Sequence, residues 1–289
     1  MIGPGRWRIG LSLVLVATAA RLLWALAVPT VPVGDFATYR ESAMQLAEFG
    51  RLDHGFVYMP GWVVLLAGLH LLGGEVVAAK VLGAAFGGLA AGPLYLIVAR
   101  LFDNGGAVEP GQSAQEQRGW RASARQAPVA SVTGLAYALW PAGITLGSVV
   151  GTDIPAAATM VLALALLVGW GPRRPWLAAA AFGAGMGLAA YFRAVALPLT
   201  ALSAVYWLAQ RSGARATVSR TALAIGVTIL VLVPWGVRNQ RVNGQFFLTD
   251  SHGGITALMP GILPFGLIMV TMSVVYLVPL PPAPQVSTQ

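Results

Sequence analysis

The chain has 289 residues, 57% of them hydrophobic and only 10% charged, with a mean hydropathy of +0.72. A soluble domain carries about 25% charged residues, so neither a soluble globular protein nor a disordered one fits this composition. The net charge of +8 comes from arginines scattered between apolar runs, which suits control of membrane topology and not a phosphate-tracking nucleic-acid surface.

Residues 9–28 form the first apolar run long enough to cross a hydrocarbon core of about 30 Å. The run is too long for a signal-peptide core and contains Arg21, so it reads as a span and not as a cleaved leader. Residues 29–74 are expected as an outer loop. Within it Phe36, Tyr39, Ala43, Leu46 and Ala47 recur at helical spacing, with Thr38, Glu41, Gln45 and Glu48 on the other face. That pattern predicts an amphipathic helix lying in the membrane interface. The apolar run 61–73 is too short to cross and is expected to lie at the same surface.

Residues 76–102 predict a full span, and 103–128, with Arg118, Arg121 and Arg125, a cytoplasmic loop. Runs 129–150 and 154–170 predict two spans joined by the tight turn Gly151-Thr152-Asp153. The run 176–210 exceeds one span and holds Arg193 near its middle. Arg173 and Arg174 precede it, and Arg211, Arg215 and Arg220 follow. Both ends therefore belong on one side, and the run must cross twice as short helices turning at Arg193. A span over 221–235, an outer loop over 236–260 and a last apolar run over 261–280 complete the chain. The expected fold is all-α: one polytopic membrane domain over 1–289 with about eight transmembrane or short membrane helices, plus interfacial helices in the first outer loop.

With the N-terminus inside, the arginine-rich segments fall on the cytoplasmic face. Asp35, Glu41, Glu48, Asp53, Glu75, Asp153 and Asp250 then fall outside, so any chemistry belongs on the outer face. Glycines within spans, such as Gly83, Gly87, Gly183 and Gly187, read as close-packing positions. Cysteine is absent, which removes disulfides and cysteine-based zinc sites. His54, His70 and His252 show no ligand spacing, and the isolated outer carboxylates do not make a hard-cation cage.

Four residues gather on the outer side: Asp35 on the first loop, Asp153 at the tight turn, Arg193 at the helix break and Arg238 just past a span. The aspartates have a second reading as helix caps, and the arginines as side chains snorkelling to headgroups. An arginine at a re-entrant turn is nevertheless costly unless paired or hydrated. Together the four suit a lipid-linked phosphate. Guanidinium forks grip its oxygens and neutralise charge on a departing phosphate, while a carboxylate takes the proton of an attacking hydroxyl. Such a leaving group is already a weak base, so the paired carboxylates of glycoside hydrolysis are not required. Tyr39 and Tyr58 either line this site or belong to an interfacial aromatic belt. His252 stands in Ser251-His252-Gly253-Gly254, but no Gly-x-Ser-x-Gly elbow accompanies it, which excludes serine hydrolysis.

The ordered segments RLLWAL (21–26), GDFATYRESAMQLAEFGRL (34–52), YMPGW (58–62), GTDIPAA (151–157), YFRAVALP (191–198) and PWGVRNQRVNGQFFLTDSHGG (234–254) resemble the C-type membrane glycosyltransferases. The nearest resemblance is to the protein O-mannosyltransferases and the lipid A aminoarabinose transferase, over residues 10–260. It implies transfer of a sugar from a polyprenyl-phosphate carrier to a hydroxyl of a lipid, glycan or protein, at the outer face of the cell membrane. By that resemblance Asp35 is the candidate base or acceptor-positioning group and Asp153 the second acidic residue. Arg193 and Arg238 would contact the carrier phosphate. Asn239 falls in the Pro-Trp-x-x-Arg-Asn motif, and the loop carrying His252 approaches the donor sugar. The lipid-linked donor is a substrate, and neither a cofactor, a metal nor a nucleic-acid partner is implied.

Three departures accompany the resemblance. Asp35 stands alone where relatives have Asp-Glu or Glu, Met59 precedes Pro60-Gly61 where the aminoarabinose transferases have lysine before Pro-Pro, and relatives continue beyond the last run. A chain shortened at its carboxyl end is one of the readings that the last departure leaves open. Two other classes compete with the enzyme. A transporter or lipid flippase would show internal repeats and helices broken at the midplane; a non-catalytic fragment would keep the fold alone.

Overall fold

A computed structural model describes residues 4–53, 56, 58–74, 76–103 and 129–249, and every regular element among them is a helix. Helix α1 (Pro4–Ala27) starts earlier than the expected residue 9 and takes Arg6 and Arg8 into its first turns, with proline tolerated at the first position. Helix α2 (Asp35–Phe49) is the amphipathic helix of the first loop: Tyr39, Ser42 and Ala43 are buried, Arg40 and Glu41 exposed. It ends at Gly50, whose left-handed backbone (φ 66°) lets its N–H donate to the Leu46 carbonyl. Helix α3 (Gly61–Leu71) matches the short run that follows.

Two expected spans are not continuous helices, and proline accounts for both. Run 76–102 divides into α4 (Val76–Leu89) and α5 (Ala91–Asp103), interrupted at Ala90. Pro93 has no N–H to give the Leu89 carbonyl. Run 129–150 becomes α6 (Val129–Ala138) and the short α7 (Pro141–Leu146), followed by irregular backbone up to Thr152. Pro141 withholds its N–H from Tyr137 and forces Trp140 into extended backbone (ψ 115°).

The carbonyls freed at this break find a partner in α1. Arg21, fully buried at 0% exposure, donates from Nη1 to the Ala138 carbonyl (2.9 Å) and from Nη2 to the Tyr137 carbonyl (3.2 Å). Its guanidinium also lies 5.2 Å from the Tyr137 ring centroid. Gly87 admits it, since a Cβ there would stand 2.6 Å from Arg21 Nε.

Helices α8 (Asp153–Trp170) and α9 (Pro175–Ala190) are as expected. The run 176–210 does turn at Arg193, with α10 (Ala196–Thr200) and α11 (Ser203–Ala209) beyond it. Helix α12 (Ala214–Asn243) corrects the expected span 221–235 and the outer loop 236–260, because residues 236–243 are helical. Pro234 lies inside it and leaves the Leu230 carbonyl without a helical donor. Packing carries the helix past that point: Trp235 and Asn239 are buried, and Gly236 lies so close to Phe246 that a Cβ would stand 2.6 Å from the ring. Gly244 (φ 72°) ends it.

Small residues bring α8, α9 and α12 together. A Cβ on Gly185 would stand 2.6 Å from that of Ala163, and one on Gly187 2.7 Å from Val231 Cβ. The Thr228 hydroxyl donates to the Gly183 carbonyl across this seam at 2.8 Å. Four stretches are long and apolar enough to cross a membrane: Gly5–Ala27, Val76–Leu101, Asp153–Trp170 and Ala214–Asn243. Outward leucines such as Leu15, Leu23 and Leu230 are exposed, which fits helices that face lipid. All described residues fall in one compact unit, Met1–Gly253.

Candidate functional site

The ends of α8 and α9 and the start of α2 bring the expected acidic residues together. Asp153 is the first residue of α8, after Thr152 at the cap, and no side chain caps that helix. Its Oδ1 instead accepts a hydrogen bond from Arg193 Nη1 at 2.5 Å. Asp35 is likewise the first residue of α2, after Gly34. Its Oδ1 accepts from the Tyr58 hydroxyl at 2.9 Å. The capping role therefore gives way, for both aspartates, to contacts reaching across the fold.

Arg193 is presented by a turn that the backbone over-determines. After α9, the N–H groups of Phe192 and Arg193 both donate to the Ala189 carbonyl. The Tyr191 hydroxyl donates to the Val231 carbonyl of α12 at 3.0 Å. The Tyr191 carbonyl accepts from Gly61 N–H at 2.7 Å, which docks the start of α3 on the same turn. Only glycine fits there, since a Cβ on Gly61 would stand 2.7 Å from that oxygen.

Tyr39 joins the two aspartates. It is buried, which removes it from any interfacial belt, and its ring meets that of Tyr58 edge-on at 5.2 Å. Its hydroxyl pairs with the Thr152 side chain and lies within electrostatic reach of Arg193, Asp35 and Asp153. Burial above all pushes its phenol up from the ordinary value, while the Thr152 bond and the Arg193 charge act the other way. The Tyr58 phenol is pushed up to about 12, first by desolvation and then by its bond to the Asp35 carboxylate. The Phe36 ring packs on the tight turn, where a Cβ on Gly151 would stand 2.9 Å from it.

Arg238 sits elsewhere. It belongs to α12 and not to a loop past a span, and its guanidinium lies 4.9 Å from the Trp235 ring centroid. Its Nη2 donates to the Leu52 and Asp53 carbonyls, each at 3.3 Å, and its Nη1 to Asn239 Oδ1 at 3.2 Å. Asn239 is fully buried and donates from Nδ2 to the Phe247 carbonyl at 2.9 Å. Between Arg238 and the acidic cluster stands an aromatic wall: Trp235 against Phe56 at 6.3 Å, then Phe56 against Tyr58 at 6.1 Å. Thr152, Phe56 and Trp235 were not among the expected site residues. Thr152 lies in the tight turn beside Asp153 and Trp235 in the Pro-Trp-x-x-Arg-Asn motif, whereas for Phe56 the nearby Tyr58 was the signal.

His252 and His54 lie outside the described residues, as does Glu75. Among the described residues no three His, Asp or Glu side chains gather in a way that would hold a metal ion. Asp35, Tyr39, Tyr58, Asp153 and Arg193 thus form one cluster: a carboxylate tied to a neutral phenol beside a carboxylate tied to a guanidinium. Comparison with protein-family models, with curated proteins and with solved structures gives no match.

Proposed function

We propose that the protein is an integral-membrane glycosyltransferase that moves a sugar from a polyprenyl-phosphate carrier to an acceptor hydroxyl. The reading rests on one observation: Asp35 and the Asp153–Arg193 pair, far apart in sequence, converge on Tyr39. Arg193 spends one nitrogen on Asp153, and a guanidinium carries five N–H donors. Its other donors take the carrier phosphate and stabilise charge as the bond from the anomeric carbon to the phosphate oxygen breaks. Asp35, oriented by Tyr58, receives the proton of the acceptor hydroxyl as that oxygen bonds to the anomeric carbon. Arg238 holds the segment that leads to Phe56 and Tyr58, because its donors are engaged by the Leu52 and Asp53 carbonyls.

In this reading the N-terminus is cytoplasmic and the cluster opens at the outer face of the cell membrane. The shorter apolar helices add crossings to the four long stretches, toward the expected total of about eight; run 261–280 lies outside the described residues. The acceptor is a lipid, a glycan or a protein.

The test is sugar transfer from a labelled polyprenyl-phosphate donor in membranes holding the full chain. Asp35→Asn abolishes transfer while membrane insertion and protein level stay unchanged. Undiminished transfer by Asp35→Asn removes the assignment. A flippase draws support from the helix breaks at Ala90 and Trp140; it would translocate the carrier without breaking the sugar–phosphate bond.

A further inference from the structure

A concavity lies at the end of α8 opposite Asp153; the helix has 18 residues and is about 27 Å long at 1.5 Å per residue. It is a cleft of about 610 Å³ between α1, α5 and α8. Leu11 and Val14 of α1, Leu96 of α5 and Leu162 of α8 form its walls. Its floor lies where α1 and α5 touch through glycines: a Cβ on Gly92 would stand 2.9 Å from Val14 Cγ2 and 3.1 Å from the Gly10 carbonyl oxygen.

One end of the cleft differs in chemistry. Arg100 and Arg173 line it there, beside Trp7 and Trp170, which are 59% and 43% exposed. Arg100 is held in place by α8, since its Nη1 donates to the Gly169 carbonyl at 2.5 Å and to the Val168 carbonyl at 3.3 Å. A cation on the last carbonyls of a helix is also favoured by the helix dipole. Arg173 is exposed. Among the described residues that line the cleft none is acidic.

An apolar trough that ends in two indoles and two guanidinium groups repeats the layering of a phospholipid. Indoles favour the headgroup level, guanidinium forks match phosphate oxygens, and basic pockets between membrane helices take anionic headgroups. We propose that the cleft binds an anionic glycerophospholipid of the bilayer. Its phosphate lies on Arg100 and Arg173 and an acyl chain runs along Leu11, Leu96 and Leu162. A helix of a second copy would bury both guanidinium groups with no carboxylate supplied by the cleft, a costly desolvation. The proposal does not depend on the glycosyltransferase reading, because the Asp153–Arg193 pair is at the far end of α8.

The experiment uses the full chain in nanodiscs of phosphatidylcholine with a minor fraction of phosphatidylglycerol. Bromine is placed on the acyl chains of one lipid or the other, and quenching of tryptophan fluorescence is read. Trp7→Phe and Trp170→Phe assign the signal to the cleft. Quenching per brominated lipid is expected to be several-fold stronger from phosphatidylglycerol than from phosphatidylcholine. Arg173→Gln should cut that preference and Arg100→Gln/Arg173→Gln abolish it. Arg173→Gln alone keeps the test valid if loss of Arg100 disturbs α8. Equal quenching by the two lipids, or an undiminished preference in Arg173→Gln, overturns the proposal.

Discussion

Asp153 Oδ1 and Arg193 Nη1 meet at 2.5 Å across 40 residues of chain, with 33% and 40% of their side chains exposed. A pair this open is worth about 0–1 kcal/mol to stability, because water and salt screen it and both side chains lose rotamer freedom. In the proposed function the pair aims the guanidinium at the donor phosphate.

Asp153→Asn is therefore expected to leave thermal unfolding in detergent almost unchanged. It should raise KM for the lipid-linked donor by about tenfold, as expected for one charge-assisted hydrogen bond of roughly 1.5 kcal/mol or more. Arg193→Lys keeps the charge and loses the fork, so it should raise KM as well. A large fall in melting temperature with an unaltered KM would make the pair a structural brace only.

Tyr58 supplies a prediction with a definite sign in pH. Its phenol titrates at about 12 in the fold, above the ordinary value near 10, so folding favours the protonated form. The stability it contributes is fully present below pH 10 and is lost as pH rises through about 12. The hydrogen bond to Asp35 is thus intact across the physiological range. NMR of tyrosine labelled at Cζ should show a late-titrating resonance that disappears in Tyr58→Phe, while that of the buried Tyr39, whose phenol is also pushed up, remains. In Asp35→Asn the Tyr58 resonance should move only part of the way back, because desolvation outranks the carboxylate as the cause.

Helices whose apolar runs are bounded by glycine or charge were readable from the sequence, and α2 and α8 show why. Period and boundary agree there, so the face of Tyr39 and the turn before Asp153 followed directly. The breaks at Ala90 and Trp140 were hidden because hydropathy stays high through them, and only Pro93 and Pro141 announce them. Helix α12 erred the other way. Its charged carboxyl-terminal end resembles a loop, but the buried Trp235 and Asn239 hold it helical. Within the site, Asp35, Asp153 and Arg193 were legible as costly charges beside apolar runs. The bond from Tyr58 to Asp35 and the wall between Arg238 and the cluster depend on side-chain placement across loops, which no spacing rule encodes.

Arg21 is expected to be a stability residue and not a site residue. Arg21→Met fills similar volume but leaves the Ala138 carbonyl without its guanidinium donor and the Tyr137 carbonyl with only the 3.3 Å bond from Trp140 N–H. Each unsatisfied group costs about 1–3 kcal/mol, so the melting temperature of the purified protein should fall steeply. Arg21→Lys should recover only part of the loss, since one ammonium cannot reproduce the fork that serves both carbonyls. Wild-type stability in Arg21→Met would show that the break at Trp140 needs no brace.

Gly61→Ala tests whether the α3 junction sets the position of Arg193. The added methyl would stand 2.7 Å from the Tyr191 carbonyl oxygen and 2.9 Å from its carbon, and backbone atoms cannot swing aside as a side-chain end can. Either the Gly61 N–H bond to that oxygen breaks or the turn at 191–195 shifts. Overpacking of this kind costs about 1–3 kcal/mol, so a moderate loss of stability is expected. The informative readout is donor KM in protein that remains folded. Arg193 lies two residues beyond Tyr191, and a displaced turn should weaken donor binding as Arg193→Ala does. Combining Gly61→Ala with Arg193→Ala should then add little further loss, because both act on one contact. Fully additive losses in the double variant would show that the junction and the guanidinium act separately.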